Sequence, residues 1–125
     1  MIIGIGTDLI EVRRVQEAIK KYGDRFARRI FTETEIAYCS PKKTAALHYA
    51  GRFAAKEAAF KALEHGWGGS LSWKEVEISN EGSGAPRLTF HGKALELAKE
   101  KKVKNAYVTI SHIQEYASAV VILES

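Results

Sequence analysis

The stretch of this sequence that most constrains its fold is the alanine-rich run RFAAKEAAFKAL at residues 52–63. Alanine, leucine, lysine and glutamate favour helices, so we predict a long helix over about 44–65, ended by the glycine-rich run that follows. A helix turns about 100° per residue, so Phe60 lies about 20° from Phe53 and Glu57 about 40° on the other side. A carboxylate beside a buried apolar stripe must be paired or bind a cation. The position of Glu57 therefore indicates that something compensates its charge, either a paired group or a bound cation.

The rest of the chain alternates between helical and strand-like patterns, with turn residues between them. Thr32 followed three residues later by Glu35 is typical of a capping box at the start of a helix. The turn-rich segment at 80–86 predicts a hairpin. We predict strands at 2–9, 72–79, 87–91, 106–111 and 117–123, and further helices at 12–22, 25–30, 33–39 and 93–101. These elements indicate a single α+β domain over residues 1–125.

The composition is that of an ordinary globular protein, with 46% hydrophobic and 27% charged residues in 125. No apolar run approaches the length needed to cross a bilayer, and the N-terminus carries Asp8 and Glu11 without a basic lead, unlike a secretory signal. Cys39 is the only cysteine, which excludes an internal disulfide and fits a reducing compartment. We therefore expect a cytoplasmic protein without a membrane partner. The net charge of +4 favours an anionic partner or serves solubility alone.

Two acids on different elements are the least generic feature of the sequence. Asp8 ends the glycine-flanked first strand, on the face shared with Gly4 and Gly6, and Glu57 lies within the long helix. Magnesium takes oxygen ligands and is commonly held by one or two protein carboxylates together with water and substrate phosphates. Lys61, one turn after Glu57, would bring a positive charge to such a phosphate. This pattern favours a magnesium–phosphate site.

Each of these features also has an interpretation without catalysis. Glu57 and Lys61 have the i, i+4 spacing that stabilises many helices by a few tenths of a kcal/mol. His112 follows a strand, where a lone histidine is commonly structural, and the other histidines lack zinc-site spacing. The arginine-rich early helices could form a solvated face, or dock an acidic protein or RNA. Few aromatic residues interleave with these arginines, so we expect no nucleic-acid partner.

Two dense sequence blocks resemble a known family. GIGTDLIEVRRV at 4–15 and GRFAAKEAAFKAL at 51–63 are similar to the signature blocks of holo-[acyl-carrier-protein] synthases, the small bacterial 4′-phosphopantetheinyl transferases. WKEVEI at 73–78, GAPRL at 84–88 and TISHIQEYASAVVI at 109–122 match later blocks in order and spacing. The resemblance implies a mainly antiparallel sheet packed on a long helix. It also implies transfer of the 4′-phosphopantetheine arm of coenzyme A to a serine of apo acyl carrier protein, in support of fatty acid biosynthesis.

The resemblance assigns roles to individual residues. Asp8 and Glu57 match the acids that bind Mg²⁺, with Mn²⁺ as an alternative ion, and with Lys61 they form the catalytic group. Lys61 matches a lysine that contacts the coenzyme A phosphates. The serine proton would pass to a water on the metal or to Glu57. The resemblance further implies that the nucleotide end of coenzyme A is bound by Arg52, Gly84, Pro86 and His112.

The resemblance also implies protein partners. Arg14 matches a position that meets the acidic helix of the carrier protein, and Arg25 and Arg28 extend that docking surface. The family implies a homotrimer with its active sites at the subunit boundaries. The sequence departs from the family after the long helix, where Ala-Phe-Gly-Thr-Gly is usual and Ala62-Leu63-Glu64-His65-Gly66 stands here. Glu64 puts in doubt how the helix end approaches the phosphates.

Overall fold

The computed structural model describes residues 1–64 and 71–125. Its strands are β1 (Ile2–Glu11), β2 (Val76–Asn80), β3 (Pro86–Phe90), β4 (Asn105–His112) and β5 (Tyr116–Glu124). Its helices are α1 (Val12–Tyr22), α2 (Asp24–Ile30), α3 (Glu33–Cys39), α4 (Ala45–Ala62) and α5 (Gly92–Glu100). The strands form one antiparallel sheet in the order β1-β5-β4 and an antiparallel β2–β3 hairpin. The predicted α+β class with antiparallel sheets and a long helix is confirmed.

Helix α4 lies directly on the three-stranded sheet because two glycines of β1 leave room for it. A Cβ atom at Gly4 would lie 2.1 Å from the carbonyl oxygen of Ala62, and one at Gly6 would lie 1.9 Å from that of Ala58. No side chain fits in either place. Strand residues alternate between faces, so Asp8, two positions after Gly6, points to the same side of the sheet as these glycines. The first strand therefore presents Asp8 to the helix, as its sequence predicts.

The apolar stripe that determines the burial of α4 is not the one expected from the phenylalanines. Alanines such as Ala54 and Ala58 face the sheet and are fully buried. Phe53 and Phe60 are only partly buried and pack on Trp73, with ring centroids 5.0 Å and 5.6 Å apart. The prediction that these two phenylalanines mark the buried stripe is wrong, because small alanine side chains allow the closest approach of helix and sheet.

Further boundaries differ from the sequence predictions. The first strand, predicted at 2–9 with Asp8 at its end, continues to Glu11, because residues 8–11 remain paired with residues 116–119 of β5. The strand predicted at 72–79 begins only at Val76, because Trp73–Glu75 forms a short 3₁₀ helix in which the Glu75 carboxylate accepts a hydrogen bond from the Ser72 amide at 2.7 Å. Helix α4 ends at Ala62 rather than near residue 65, and Glu64 then adopts a left-handed conformation with φ of 58°. Residues 65–70, including the predicted glycine-rich stop, lie outside the described residues.

A buried ion pair joins α3 to α4 and to the β2 region. Lys56 Nζ lies 2.8 Å from Glu35 Oε1, and neither side chain has any exposed surface. Glu35 also accepts hydrogen bonds from the amides of Thr32, in the predicted capping box, and Ile78, each at 2.8 Å. The Lys56 ammonium donates to the carbonyls of Trp73 and Val76. Burial lowers the pKa of Lys56, while the neighbouring Glu35 carboxylate acts in the opposite direction.

None of the helices in the described ranges 1–64 and 71–125 combines the length and the apolar character that a bilayer-spanning segment needs. The sheet face away from α4 nevertheless exposes apolar side chains. Ile5 and Leu9 on β1 are each 66% exposed, and Tyr107 on β4 is 52% exposed. Ile5 and Tyr107 both lie opposite Ile122 of β5, so they share this face. This face is therefore unusually apolar for an exposed surface.

Candidate active site

The structure brings Asp8, Glu57 and Lys61 together at the β1 side of helix α4. Lys61 Nζ lies 3.3 Å from Asp8 Oδ1 and donates a hydrogen bond to the carbonyl of Thr7 at 3.0 Å. The Asp8 side chain is only 12% exposed, and a side-chain hydrogen bond links it to Glu57. Within the described residues, Lys61 forms its ion pair with Asp8 and none with Glu57. The interpretation of Glu57 and Lys61 as a simple helix pair is therefore not supported.

The two carboxyl groups perturb each other. Burial raises the pKa of Glu57 to about 7, and the charge of Asp8 and the hydrogen bond between the two groups add to the rise, while Lys61 opposes it. Two half-buried carboxylates this close repel each other when both are ionised. A bound cation would relieve that repulsion and favour the ionised form of both. Asp8 adds negative charge beside Glu57 and does not neutralise it, so the pair has capacity for a positive ion.

The donor set of this cluster fits magnesium. Both side chains offer hard oxygen ligands, and no group of three or more potential ligands from His, Cys, Asp and Glu occurs within the described residues. A site for zinc or calcium usually has more protein ligands than two. Magnesium retains several waters and accepts phosphate oxygens from its substrate, so two carboxylates suffice for it.

The residues expected to bind the nucleotide line one pocket on the other side of α4. The pocket has a volume of about 170 Å³ and contains all four predicted residues, namely Arg52, Gly84, Pro86 and His112. Its other walls are Tyr38, Leu47, His48, Gly51, Asn80 and Ile110. Sequence reasoning missed Tyr38, His48 and Asn80 as site residues. The position of Asn80 at the start of the turn-rich segment was the one signal in the sequence. Tyr38 and His48 lie on separate helices, so no regular sequence spacing relates them.

Arg52 organises this pocket. It is 4% exposed, its guanidinium lies 4.0 Å from the centre of the Tyr38 ring, and it donates a hydrogen bond to Asn80 Oδ1. Asn80 in turn donates from Nδ2 to the carbonyl of Gly84 at 2.8 Å, which holds the hairpin turn. Gly84 has a φ of 88°, a conformation that L side chains rarely adopt. Within the described residues, Arg52 Nε is buried without a hydrogen-bond partner, so the guanidinium retains a donor.

Within one chain, the Asp8–Glu57–Lys61 cluster is separated from the pocket around Arg52. Arg52 and Glu57 are five residues apart on α4, which places them about 140° apart around the helix axis. Asp8 lies on β1 and His112 on β4, at opposite edges of the sheet, and β5 with α4 above it lies between them. The two acids and the pocket lined by Arg52 and His112 therefore lie on different sides of α4 within one chain.

The arginines expected to dock a carrier protein are exposed on α1 and α2. Arg14 follows Asp8 by six residues, and its guanidinium lies 3.7 Å from the Glu11 carboxylate with its side chain 77% exposed. Arg25 and Arg28 lie on α2, and both are exposed. None of these residues lines the nucleotide pocket. The basic surface adjoins the end of β1 that carries Asp8.

The profile of the 4′-phosphopantetheinyl transferase superfamily matches residues 4–121. The chain belongs to this superfamily. It is 45% identical to the holo-[acyl-carrier-protein] synthases of Koribacter versatilis, over 99% of both chains, and of Solibacter usitatus, over 100% of both. The crystal structure of the synthase from Neisseria meningitidis is similar with a TM-score of 0.88 and 33% identity over 100% of both chains. The Helicobacter pylori synthase, solved in complex with coenzyme A, has a TM-score of 0.85 and 32% identity over 96% of this chain and 99% of that one.

Glu64 occupies a position at which the family usually has glycine, and its backbone conformation explains that preference. Glu64 follows the C-cap residue Leu63 of α4 and has a left-handed conformation with φ of 58°, which costs a non-glycine residue roughly 1 kcal/mol. The Glu64 carboxylate lies 3.9 Å from Lys101 Nζ, at the end of α5, and is largely exposed. Its charge is directed at a lysine of the same chain, so the departure from the family leaves the Asp8–Glu57 pair unchanged.

Proposed function

We propose that this chain is a magnesium-dependent holo-[acyl-carrier-protein] synthase. It transfers the 4′-phosphopantetheine arm of coenzyme A to a serine of apo acyl carrier protein and releases adenosine 3′,5′-bisphosphate. Its place is in the cytoplasm, where it supplies holo carrier for fatty acid biosynthesis. The observation that carries the proposal is the Asp8–Glu57–Lys61 cluster within a superfamily member whose relatives are synthases over their full length.

The reaction joins the serine oxygen to the β-phosphorus of coenzyme A and breaks the bond from that phosphorus to the bridging oxygen of the pyrophosphate. Asp8 and Glu57 would hold Mg²⁺, or Mn²⁺ in its place, which supplies positive charge to the phosphate oxygens. Lys61 is mobile enough, with 56% of its side chain exposed, to move from Asp8 to a phosphate. We assign the serine proton to water, because a carboxylate engaged by a cation is a poor base.

The intact mass of an apo acyl carrier protein tests this proposal. After incubation with the protein and coenzyme A, the carrier should gain one phosphopantetheine arm in the presence of Mg²⁺ and none with excess chelator. Several apo carriers should be used, because the natural carrier is a separate question. No gain with any of them and a folded protein would refute the transfer activity. A gain that survives chelation would refute the role of the metal.

Metal binding should weaken as the pH falls below about 7. Glu57 has a raised pKa of about 7, so protons compete with Mg²⁺ for its carboxylate, and the apparent affinity should fall up to tenfold per pH unit below that value. The Mg²⁺ concentration for half-maximal transfer, measured from pH 5.5 to 8.5, checks this. In a Glu57→Gln variant the pH dependence should disappear together with most of the activity. A constant half-maximal concentration across the range would contradict the assignment.

Charge reversal at Arg14 should weaken carrier docking. The exposed guanidinium faces an acidic partner in this proposal, so Arg14→Glu should raise the KM for carrier protein roughly tenfold and leave that for coenzyme A nearly unchanged. The wild-type KM for carrier should also rise with salt. Lys93→Glu, on α5 and equally exposed, is the matched control. Equal effects of Arg14→Glu on both KM values would remove its docking role, and the same test applies to Arg25 and Arg28.

We infer that the enzyme is a homotrimer whose active sites combine two chains. The acids and the nucleotide pocket of one chain lie on different sides of α4, so a substrate that needs both must meet them on neighbouring chains. A second copy of the chain would also cover the exposed apolar side chains Ile5, Leu9 and Tyr107. The solution mass should therefore be close to three times that of one chain.

Mixing two defective variants tests the composite site directly. Asp8→Asn impairs the acid cluster and His112→Ala impairs the pocket, so trimers of either variant alone should be poorly active at subsaturating coenzyme A. Coexpressed mixtures contain boundaries with intact acids from one chain and an intact pocket from the other. Their activity should exceed the average of the two pure variants several-fold. Activity equal to that average would show that each chain carries a complete site.

A further inference from the structure

Two cationic side chains and two imidazole rings lie close together beside the ring of Tyr38, at the edge of the nucleotide pocket. Lys42 Nζ lies 4.4 Å and the Arg52 guanidinium carbon 4.0 Å from the centre of the Tyr38 ring. The ring of His48 packs edge-on against Tyr38 at 5.7 Å and against His112 at 5.8 Å between centroids. Two imidazoles from α4 and β4 thus meet beside two permanent positive charges.

No carboxylate balances this charge where it meets the pocket. The described residues that line it include Tyr38, His48, Arg52 and His112 but no aspartate or glutamate. The pocket is therefore electropositive, with one buried guanidinium that keeps a free N–H donor. A pocket of this charge favours an anion, and His48 allows it to gain further positive charge when the anion arrives.

The surroundings of His48 disfavour the protonated form of its imidazole. Burial lowers its pKa first, and the charges of Lys42, His112 and Arg52 lower it further. Lys42 lies in the α3–α4 connection, His112 on β4 and Arg52 on α4, and the Tyr38 ring packs against His48 from α3. An anion with two negative charges would reverse this electrostatic balance, because it favours the protonated form of a neighbouring imidazole.

We propose that His48, paired with His112, binds the phosphomonoester of the coenzyme A nucleotide and that this binding takes up a proton. The inference rests on the proposed function, in which the pyrophosphate of coenzyme A reacts at Asp8, Glu57 and Lys61. The remaining phosphate of coenzyme A is the monoester on the ribose. The second pKa of a phosphomonoester is near 6, so this group is largely a dianion at neutral pH. Its double negative charge complements a pocket in which His48 and His112 lie beside the Arg52 guanidinium.

Comparison of coenzyme A with dephospho-coenzyme A isolates this phosphate. Calorimetric titrations of the wild-type protein at pH 7.2, in two buffers with different ionisation enthalpies, measure the protons taken up on binding. Coenzyme A should take up about one proton and bind more tightly as the pH falls from 8 to 6.5. Dephospho-coenzyme A lacks the monoester and should show neither effect. Equal proton uptake with both ligands would overturn the proposal.

Substitution of His48 assigns the proton. His48→Gln retains polarity without a titratable group, and His48→Phe retains a ring, so both should reduce proton uptake and weaken coenzyme A binding about tenfold at pH 6.5. Their affinity for dephospho-coenzyme A should stay within about twofold. His91→Gln is the matched control, because His91 lies beside Glu77 and outside the pocket. Unchanged proton uptake in a folded variant of either kind would overturn the role of His48.

These measurements need no carrier protein, so they separate this inference from the transfer activity. Normal binding and proton uptake by a protein that transfers nothing would refute the proposed function and retain the phosphate site. Transfer by the wild-type protein, together with unchanged proton uptake in the His48 variants, would retain the proposed function and refute the role of His48 in the phosphate site. If the wild-type protein does not bind coenzyme A, both proposals are wrong.

Discussion

Asp8→Asn is expected to reduce transfer about 100- to 1,000-fold while the protein stays folded. The substitution removes the charge with which Asp8 and Glu57 together hold a cation, and loss of one such electrostatic contact to a reacting group commonly costs 100- to 1,000-fold in kcat. The fold should tolerate it, because Asp8 forms only one partly exposed ion pair with Lys61, and Lys61 keeps its hydrogen bond to the Thr7 carbonyl. The rate of mass gain of an apo carrier protein at saturating Mg²⁺ measures the effect.

Two further variants make this test specific. Glu57→Gln should have an effect of similar size, because the metal site needs both carboxylates. Glu96→Gln, on the exposed side of α5, removes one negative charge away from both clusters and should leave the rate within about twofold. A folded Asp8→Asn protein with normal turnover would exclude Asp8 from the metal site and leave the mechanism without its central element.

Lys56→Met is expected to lower the free energy of unfolding by about 3–5 kcal/mol. The Lys56–Glu35 pair has no exposed surface, and the ammonium also satisfies the carbonyls of Trp73 and Val76. Methionine fills the same space without the charge, so the Glu35 carboxylate would remain buried without its cation. Urea unfolding at a fixed protein concentration, followed by circular dichroism, measures the change.

The matched control for Lys56 is an exposed ion pair of the same length. Arg87 Nε lies 2.9 Å from Glu81 Oε1, but both side chains are largely in solvent, so Arg87→Gln should cost less than about 1 kcal/mol. Adding Glu35→Gln to Lys56→Met removes the second buried charge and should recover part of the loss. A Lys56→Met protein as stable as the Arg87→Gln protein would show that the buried charge is compensated in another way.

Features that depend on neighbours in sequence were predicted well. The capping box of Thr32 and Glu35 forms as expected, since its groups lie within one helical turn. The two closing strands extend only slightly beyond their predicted bounds. The acids Asp8 and Glu57 could be selected because each is unusual within its own element: one follows glycines on a strand, and the other interrupts a helix rich in alanine.

The errors and omissions share a physical cause. Helical periodicity shows which residues share a face, but it does not show what that face contacts, so the phenylalanines of α4 were mistaken for its buried stripe. The alanines occupy that position because only small side chains let α4 approach Gly4 and Gly6. The role of Glu35 as the partner of Lys56 was likewise invisible, since 21 residues separate the two in the chain.

Local propensity and short motifs were enough to establish the α+β class, the long helix, the family and the residue types of the acid cluster. The grouping of Tyr38, His48 and Asn80 with Arg52 and His112 in one pocket is visible only in three dimensions. The same holds for the placement of this pocket and the Asp8–Glu57 pair on opposite sides of α4. Both outcomes depend on how a helix is rotated against a sheet, and that rotation results from the packing of side chains that are distant in the chain.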